Sequence, residues 1–349
     1  MSRAGAAVQL NWRMMMDILC NPIRNLRRLS AAMIFAIVAG WSIQLSAAGR
    51  ELTVDQFSVV KLTVTAVPDA RSARTLGPQR EGTGVVIDSS GLVLTIGYLV
   101  TEADTVELAT ADGRKFAANV VGYDAPTGLG LVKSLKPLPI KPVDFGESAV
   151  ASLRDMVLIV GYDGVAPAYI VSKRPFVGYW EYLLDEAIYT APATVNWQGA
   201  ALLSREGKLL GIGSLAVGDA VGKGSIPGNM FVPIDTLKPV LGDIIANGRS
   251  TTKPRPWLGI TSQEVQGRVI VTRVSSEGPA DDAGLQAGDI IVGFGGQPLA
   301  GQADFYAKLW KSGDAGVEVT LDVVKGIKVE AVKLKSMDRD RHFRSKPVY

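Results

Sequence analysis

The sequence predicts a mainly β fold: a large unit of short strands closed into a barrel or sandwich, followed by a smaller α+β unit. Three observations predict it. From Phe57 to Gly248, short β-branched and apolar segments recur with few helical periods between them. Glycine (38) and proline (18) are plentiful and fall between those segments, where they punctuate turns. A polar, proline-bearing stretch at 249–256 (RSTTKPRP) then reads as a linker, after which the pattern changes.

The strands of the first unit follow from alternation. Ser58 to Val64 alternates β-branched and polar residues, and 83–88 and 92–95 flank the turn Ser89-Ser90-Gly91. Further strands are expected at 105–109, 115–122, 129–133, 156–161, 169–177, 200–203, 209–214 and 230–233, and 71–80 as a polar loop. A helix is expected from Ile234 onward, stopped by Asn247-Gly248. In the second unit strands are expected at 269–274, 290–294, 317–324 and 330–334, with short helices at 279–285 and 302–311. The last residues alternate charge without an apolar face and read as a flexible tail.

The formal charge is +3, and its basic excess sits at the N-terminus, where Arg3, Arg13, Arg24, Arg27 and Arg28 face Asp17 alone. The remainder offers no charge argument for nucleic acid. Arg24 to Arg28 precede the apolar run 31–43 and the small residues Ser46, Ala47 and Ala48, the order of a secretory signal. Cleavage after Ala48 and export to the periplasm is the first reading. An uncleaved anchor in the inner membrane is the second, since 29–48 reaches the length of about 20 residues a span needs. Cys20 is the chain's single cysteine and lies in this leader, so neither a disulfide nor a thiol nucleophile is expected beyond it. No cofactor and no metal site is expected: there is no His/Cys cluster, and no phosphate-cradling loop precedes a helix.

Gly82-Thr83-Gly84-Val85-Val86-Ile87-Asp88-Ser89-Ser90-Gly91-Leu92-Val93-Leu94-Thr95 resembles the strand pair that leads to the catalytic histidine of HtrA/Deg-type serine proteases. Tyr123-Asp124-Ala125-Pro126-Thr127, the stretch 199–213 and Phe231-Val232-Pro233-Ile234-Asp235 continue the likeness in order. In the second unit, 278–291 (GPADDAGLQAGDII) is similar to the PDZ stretch G-P-A-x-x-A-G-L-x-x-G-D-x-I. The resemblance covers about 57–335. It implies a trypsin-like double β-barrel over 49–248 and a smaller α+β PDZ domain over 257–336, with a leader at 1–48, a linker at 249–256 and a charged tail at 337–349.

The resemblance also implies where chemistry would sit. A serine protease needs a hydroxyl nucleophile, an imidazole base and a carboxylate that orients it. At the matching positions stand Tyr98, Gly128 and Gln198, and the chain's one histidine is His342 in the tail. Tyrosine is a poor base near neutral pH, and Asn196 takes the family's oxyanion-hole glycine position, beside a bulky Trp197 able to fill the cleft. The expectation is a degenerate triad and no enzyme. The alternative is an active serine-type endopeptidase with non-standard residues.

Trp257, Leu258, Gly259 and Ile260 resemble the carboxylate-binding loop of such PDZ domains, where backbone N–H groups meet a peptide's end and the peptide adds as a strand. Phe305, Tyr306 and Leu309 are the expected pocket residues on the facing helix. The resemblance thus implies binding of C-termini or unfolded segments of envelope proteins, as scaffold, adaptor, holdase or protease regulator, with active HtrA relatives as further partners and a homotrimer as the expected assembly. The apolar end Val348-Tyr349 is a candidate self-ligand.

Overall fold

The computed structural model describes residues 52–343. The leader with its expected cleavage point, and the end at Val348-Tyr349, lie outside the described residues.

Six strands close the first barrel: β1 (Val59–Ala66), β2 (Gln79–Val86), β3 (Leu92–Ile96), β4 (Ala103–Ala109), β5 (Lys115–Asp124) and β6 (Leu129–Ser134), in the order β1-β2-β3-β6-β5-β4. Strand side chains alternate between faces, so Val60, Leu62 and Val64 of β1 point inward and are buried while Lys61, Thr63 and Thr65 lie nearer solvent. Short helices α1 (Ala73–Leu76) and α2 (Gly97–Val100) follow β1 and β3.

The second barrel holds β7 (Met156–Gly161), β8 (Gly164–Gly178), β9 (Tyr182–Ala191), β10 (Ala201–Leu203), β11 (Leu209–Val217) and β12 (Gly228–Pro233), closed in the order β10-β11-β12-β9-β8-β7. β3 is buried at every position because β11 packs against it from the second barrel. Thr83 fastens the two: its amide donates to the Gln198 carbonyl at 2.8 Å and its hydroxyl accepts from the Tyr162 amide at 3.0 Å.

α3 (Leu241–Asn247) ends in Gly248, whose φ of 75° is the left-handed stop expected from the sequence. The helix starts later than expected, with only a single tight turn at Ile234–Thr236, because Pro239 has no N–H to continue the ladder. The second unit is a sheet of β13 (Ile260–Val265), β14 (Arg268–Val274), β15 (Ile290–Phe294), β17 (Glu318–Lys325) and β18 (Lys328–Lys335) in that spatial order, with β16 (Gln297–Pro298) beside β15. α4 (Pro279–Asp282) and α5 (Gln302–Lys311) accompany it, and Phe305, Tyr306 and Leu309 of α5 fill its core against Leu258, Val271 and Leu321. The mainly β layout of two barrels and a smaller α+β unit is the one the sequence predicts. Among the described residues no helix is long and apolar enough to cross a membrane.

Three departures matter. No strand is expected from the sequence at β9, where the exposed Asp185-Glu186 pair breaks the apolar run. β8 and β9 in fact form one long hairpin with its tip at 178–181. Secondly, the stretch 249–256 is no free spacer. Arg249 pairs with Asp338 (2.8 Å) and Asp340 (3.1 Å), the Arg255 guanidinium lies over the Trp310 ring, and the Pro254 carbonyl accepts from the Ala315 amide.

The third departure is the tail, which is ordered over 337–343. Met337 and Trp257 exchange backbone hydrogen bonds at 3.0 Å. Asp338 caps α6 (Arg339–His342) by accepting from the Asp340 amide. His342 is buried against the Trp257 ring, and its Nδ1 accepts from Arg71 at 2.9 Å. Burial, then the Arg71 charge, holds this imidazole below its ordinary pKa. Alternating charge hid a docking helix because its apolar part is only His342 and Phe343.

Two measurements check this packing. A Cβ at Gly122 would sit directly on the Gly248 backbone, whereas one at Gly113 meets nothing. Gly122→Ala is expected to lose about 2 kcal/mol or more by overpacking. Gly113→Ala is expected to lose only about 1 kcal/mol, from its positive φ; urea unfolding of the two variants compares them. Ending the chain after Met337 uncovers Trp257 and removes both Arg249 pairs. A loss of about 1–3 kcal/mol and a red-shifted tryptophan emission are expected.

Candidate functional site

Of the three positions matched to a protease triad, Tyr98 and Gly128 line one cavity, and Gln198 stands apart against Thr83. Tyr98 lies in α2, and the Gly97 amide donates to the Gly128 carbonyl at 2.7 Å, which joins the first two positions. The Tyr98 hydroxyl donates to the Ser214 carbonyl at 2.9 Å, and burial pushes its pKa far above the ordinary phenol value. It is a neutral donor there. Gly128 has a φ of 76°, and the Tyr182 ring occupies the space any side chain at 128 would need. The Tyr182 hydroxyl donates to the Thr127 carbonyl at 2.6 Å. Gln198 is exposed and is held through its main chain, with Gly199 (φ 72°) making the turn back into β10.

The wall behind Tyr98 is built from Arg80, which is 4% exposed. Its guanidinium donates to the Tyr98 carbonyl (3.0 Å), the Thr101 carbonyl (2.5 Å) and the Ser72 hydroxyl (2.7 Å). A cavity of about 120 Å³ opens beside Tyr98 and Gly128 and runs under Trp180 toward Trp257. Trp180, Trp257 and Trp310 line this space and Trp197 does not, and Trp180 stacks on Tyr182 at 5.4 Å. The chain's only histidine is at the far end, against Trp257.

The loop 257–260 is the second candidate site. Leu258 and Ile260 are buried, and Gly259 adopts a φ of 81°, which turns the backbone N–H groups of this short stretch to one side. They already hold a carboxylate. Glu181 accepts from the Leu258 amide at 3.0 Å and from the Ile260 amide at 2.8 Å. Burial pushes the Glu181 carboxyl up to about 7, against the opposing pull of the Ile260, Leu258 and Gly259 amides and of Arg339.

Glu181 comes from the β8–β9 tip, and the rest of the tip follows it into the groove between β13 and α5. The Ser262 amide of β13 donates to the Tyr179 carbonyl at 2.8 Å. The Gly178 carbonyl accepts from the Tyr306 hydroxyl (2.8 Å) and from Gln302 Nε2 (3.2 Å), and the Glu181 amide donates back to the Tyr306 hydroxyl at 3.1 Å. Val177 and Leu183 pack on the apolar core beside them.

The expected pocket residues are therefore corrected in part. Phe305 and Leu309 are fully buried among core side chains. Tyr306 is also fully buried, and its hydroxyl, with a pKa pushed up to about 12 by burial, is the one expected pocket atom that meets the occupant of the groove. Glu181, Tyr179, Ser262 and Gln302 were not expected. Gln302 stood at the start of the predicted wall helix, but Glu181 carries no sequence signal, because its role depends on a hairpin crossing between units.

Comparison with known proteins follows the same division. The chain matches the model of a trypsin-like peptidase domain over 82–212 and that of a PDZ domain over 256–335. It is 28% identical over 278 residues to a probable periplasmic serine protease, do/HhoA-like, of Haemophilus influenzae, covering 73% of this chain and 57% of that protein. It is 30% identical over 255 residues to a probable periplasmic serine endoprotease, DegP-like, of Ectopseudomonas mendocina, covering 65% and 51%. The chain spans little more than half the length of these relatives. Among solved structures, a serine endoprotease from Yersinia pestis is 22% identical, with a TM-score of 0.48, and the match covers 82% of this chain and 98% of that one.

These relatives overturn the expectation that the chain is no enzyme. That expectation rested on three positions and on the chain's single histidine, whereas the likeness to proteins named serine protease or endoprotease extends over about two thirds of the chain or more. The barrels, the smaller sheet with its loop, and the two matched segments give this chain a trypsin-like-plus-PDZ architecture.

Proposed function

We propose that this chain is a periplasmic HtrA-like protein that takes up C-terminal or unfolded segments of envelope proteins through a PDZ unit spanning 257–336, in protein quality control. The observation that carries this reading is the amide cradle at Leu258, Gly259 and Ile260, which is already wrapped around a carboxylate. Such a cradle fits a peptide's terminal carboxylate, while the edge of β13 offers main-chain hydrogen bonds to the residues before it.

The names of the relatives bring peptide-bond hydrolysis to the barrel cleft as its reaction class. With His342 at the PDZ unit, proton transfer in that cleft would run through groups other than imidazole.

The test compares two peptides of one sequence, each with an apolar last residue, one ending in a free carboxylate and one in an amide. Fluorescence anisotropy with the purified protein is expected to find the amide at least about tenfold weaker, which corresponds to about 1.4 kcal/mol. Equal binding of the two would remove the carboxylate reading. Gly259→Val, which forces a Cβ between Trp257 and Ser275 at a positive φ, is expected to weaken the free peptide by a similar factor.

A further inference from the structure

The groove just described is not empty, and the manner of its filling is specific. The tip lies antiparallel to β13: Glu181 meets Ile260, and two residues back Tyr179 meets Ser262, two residues on. One segment therefore supplies a carboxylate to the loop, a backbone carbonyl to the strand edge and another, at Gly178, to α5. Those are the three kinds of contact that an incoming chain end would need. A chain end carries its carboxylate on the backbone, while the tip presents one on the side chain of Glu181. Because β9 continues from Tyr182, the tip never has to end.

We infer that the β8–β9 tip, residues 178–181, is a built-in stand-in for a peptide end that holds the PDZ groove shut until a real chain end displaces it. This rests on the reading of the groove as a peptide site. The competition is between a tethered and a free ligand. A short tether gives the tip an effective concentration on the order of millimolar. The apparent affinity for a free peptide is then reduced by the fraction of molecules in which the tip has left.

The experiment uses the full chain and its Glu181→Ala variant, with the same free-carboxylate peptide and hydrogen exchange of the 257–263 segment measured without peptide. The expected result is at least tenfold tighter binding by the variant and faster exchange at Leu258, Ile260 and Ser262, with the strands of both barrels as protected as before. Equal binding by the two proteins would overturn the stand-in and leave the peptide site intact. If neither protein binds although the variant's loop amides exchange freely, the peptide site itself falls and the tip is a fixed structural contact. Should Glu181→Ala fail to fold, Glu181→Gln keeps the shape without the charge. It is expected to bind at least threefold tighter, and unchanged binding would again overturn the inference.

Discussion

The backbone amides at 258–260 have to meet an acceptor. The left-handed turn at Gly259 points them away from the ladder of β13, and a buried amide left without a partner costs about 1–3 kcal/mol. Glu181 meets that demand and so ties the PDZ unit to the β8–β9 tip. To bring Glu181 there, β8 has to run fifteen residues, well past the barrel it belongs to. Once there, the tip also offers the Gly178 carbonyl to Tyr306 and Gln302, two buried polar side chains of α5 that bond each other and Ser262 as well.

The same hairpin shapes the space between the barrels. Tyr182 needs Gly128, since its ring stands where a side chain would project, and Trp180 needs Tyr182 to stack upon. On the opposite wall Arg80, itself buried, ties α2 to the α1 region through carbonyl and hydroxyl acceptors. Charge inside a protein is expensive unless hydrogen-bonded, and here four acceptors, Gly77 included, surround one guanidinium. The position of Tyr98 is fixed from both ends, by Arg80 at its carbonyl and by Ser214 at its hydroxyl.

Much of this was legible in the sequence, and the boundary is instructive. Strands with clean alternation, such as β1, and the glycine stop at Gly248 are local signals, and they stand where the pattern put them. The loop 257–260 could be singled out because its residue types form a motif. What was not legible depends on pairing across long separations. β9 reads as interrupted because Asp185 and Glu186 face solvent midway. α6 looked like a solvated run because its charges find Tyr123 and Arg249, more than eighty residues away. Glu181 looked like any surface glutamate. Helical spacing put Phe305, Tyr306 and Leu309 on one apolar face, expected as a pocket wall, but Phe305 and Leu309 belong to the core, since period alone does not tell core from pocket.

The docked hairpin has one more consequence, for how the chain can be divided. β13 is the outermost strand of its sheet, and its free side is covered at the Tyr179–Ser262 contact by a segment from the other unit. An unpaired strand edge is a template for pairing with another molecule. A fragment cut at 249–256 would carry that edge bare, with the amides of Leu258 and Ile260 unsatisfied beside it. The cut looks natural by sequence, yet it would turn a protected surface into a sticky one, so self-association is the hazard of handling the PDZ unit apart from its barrels.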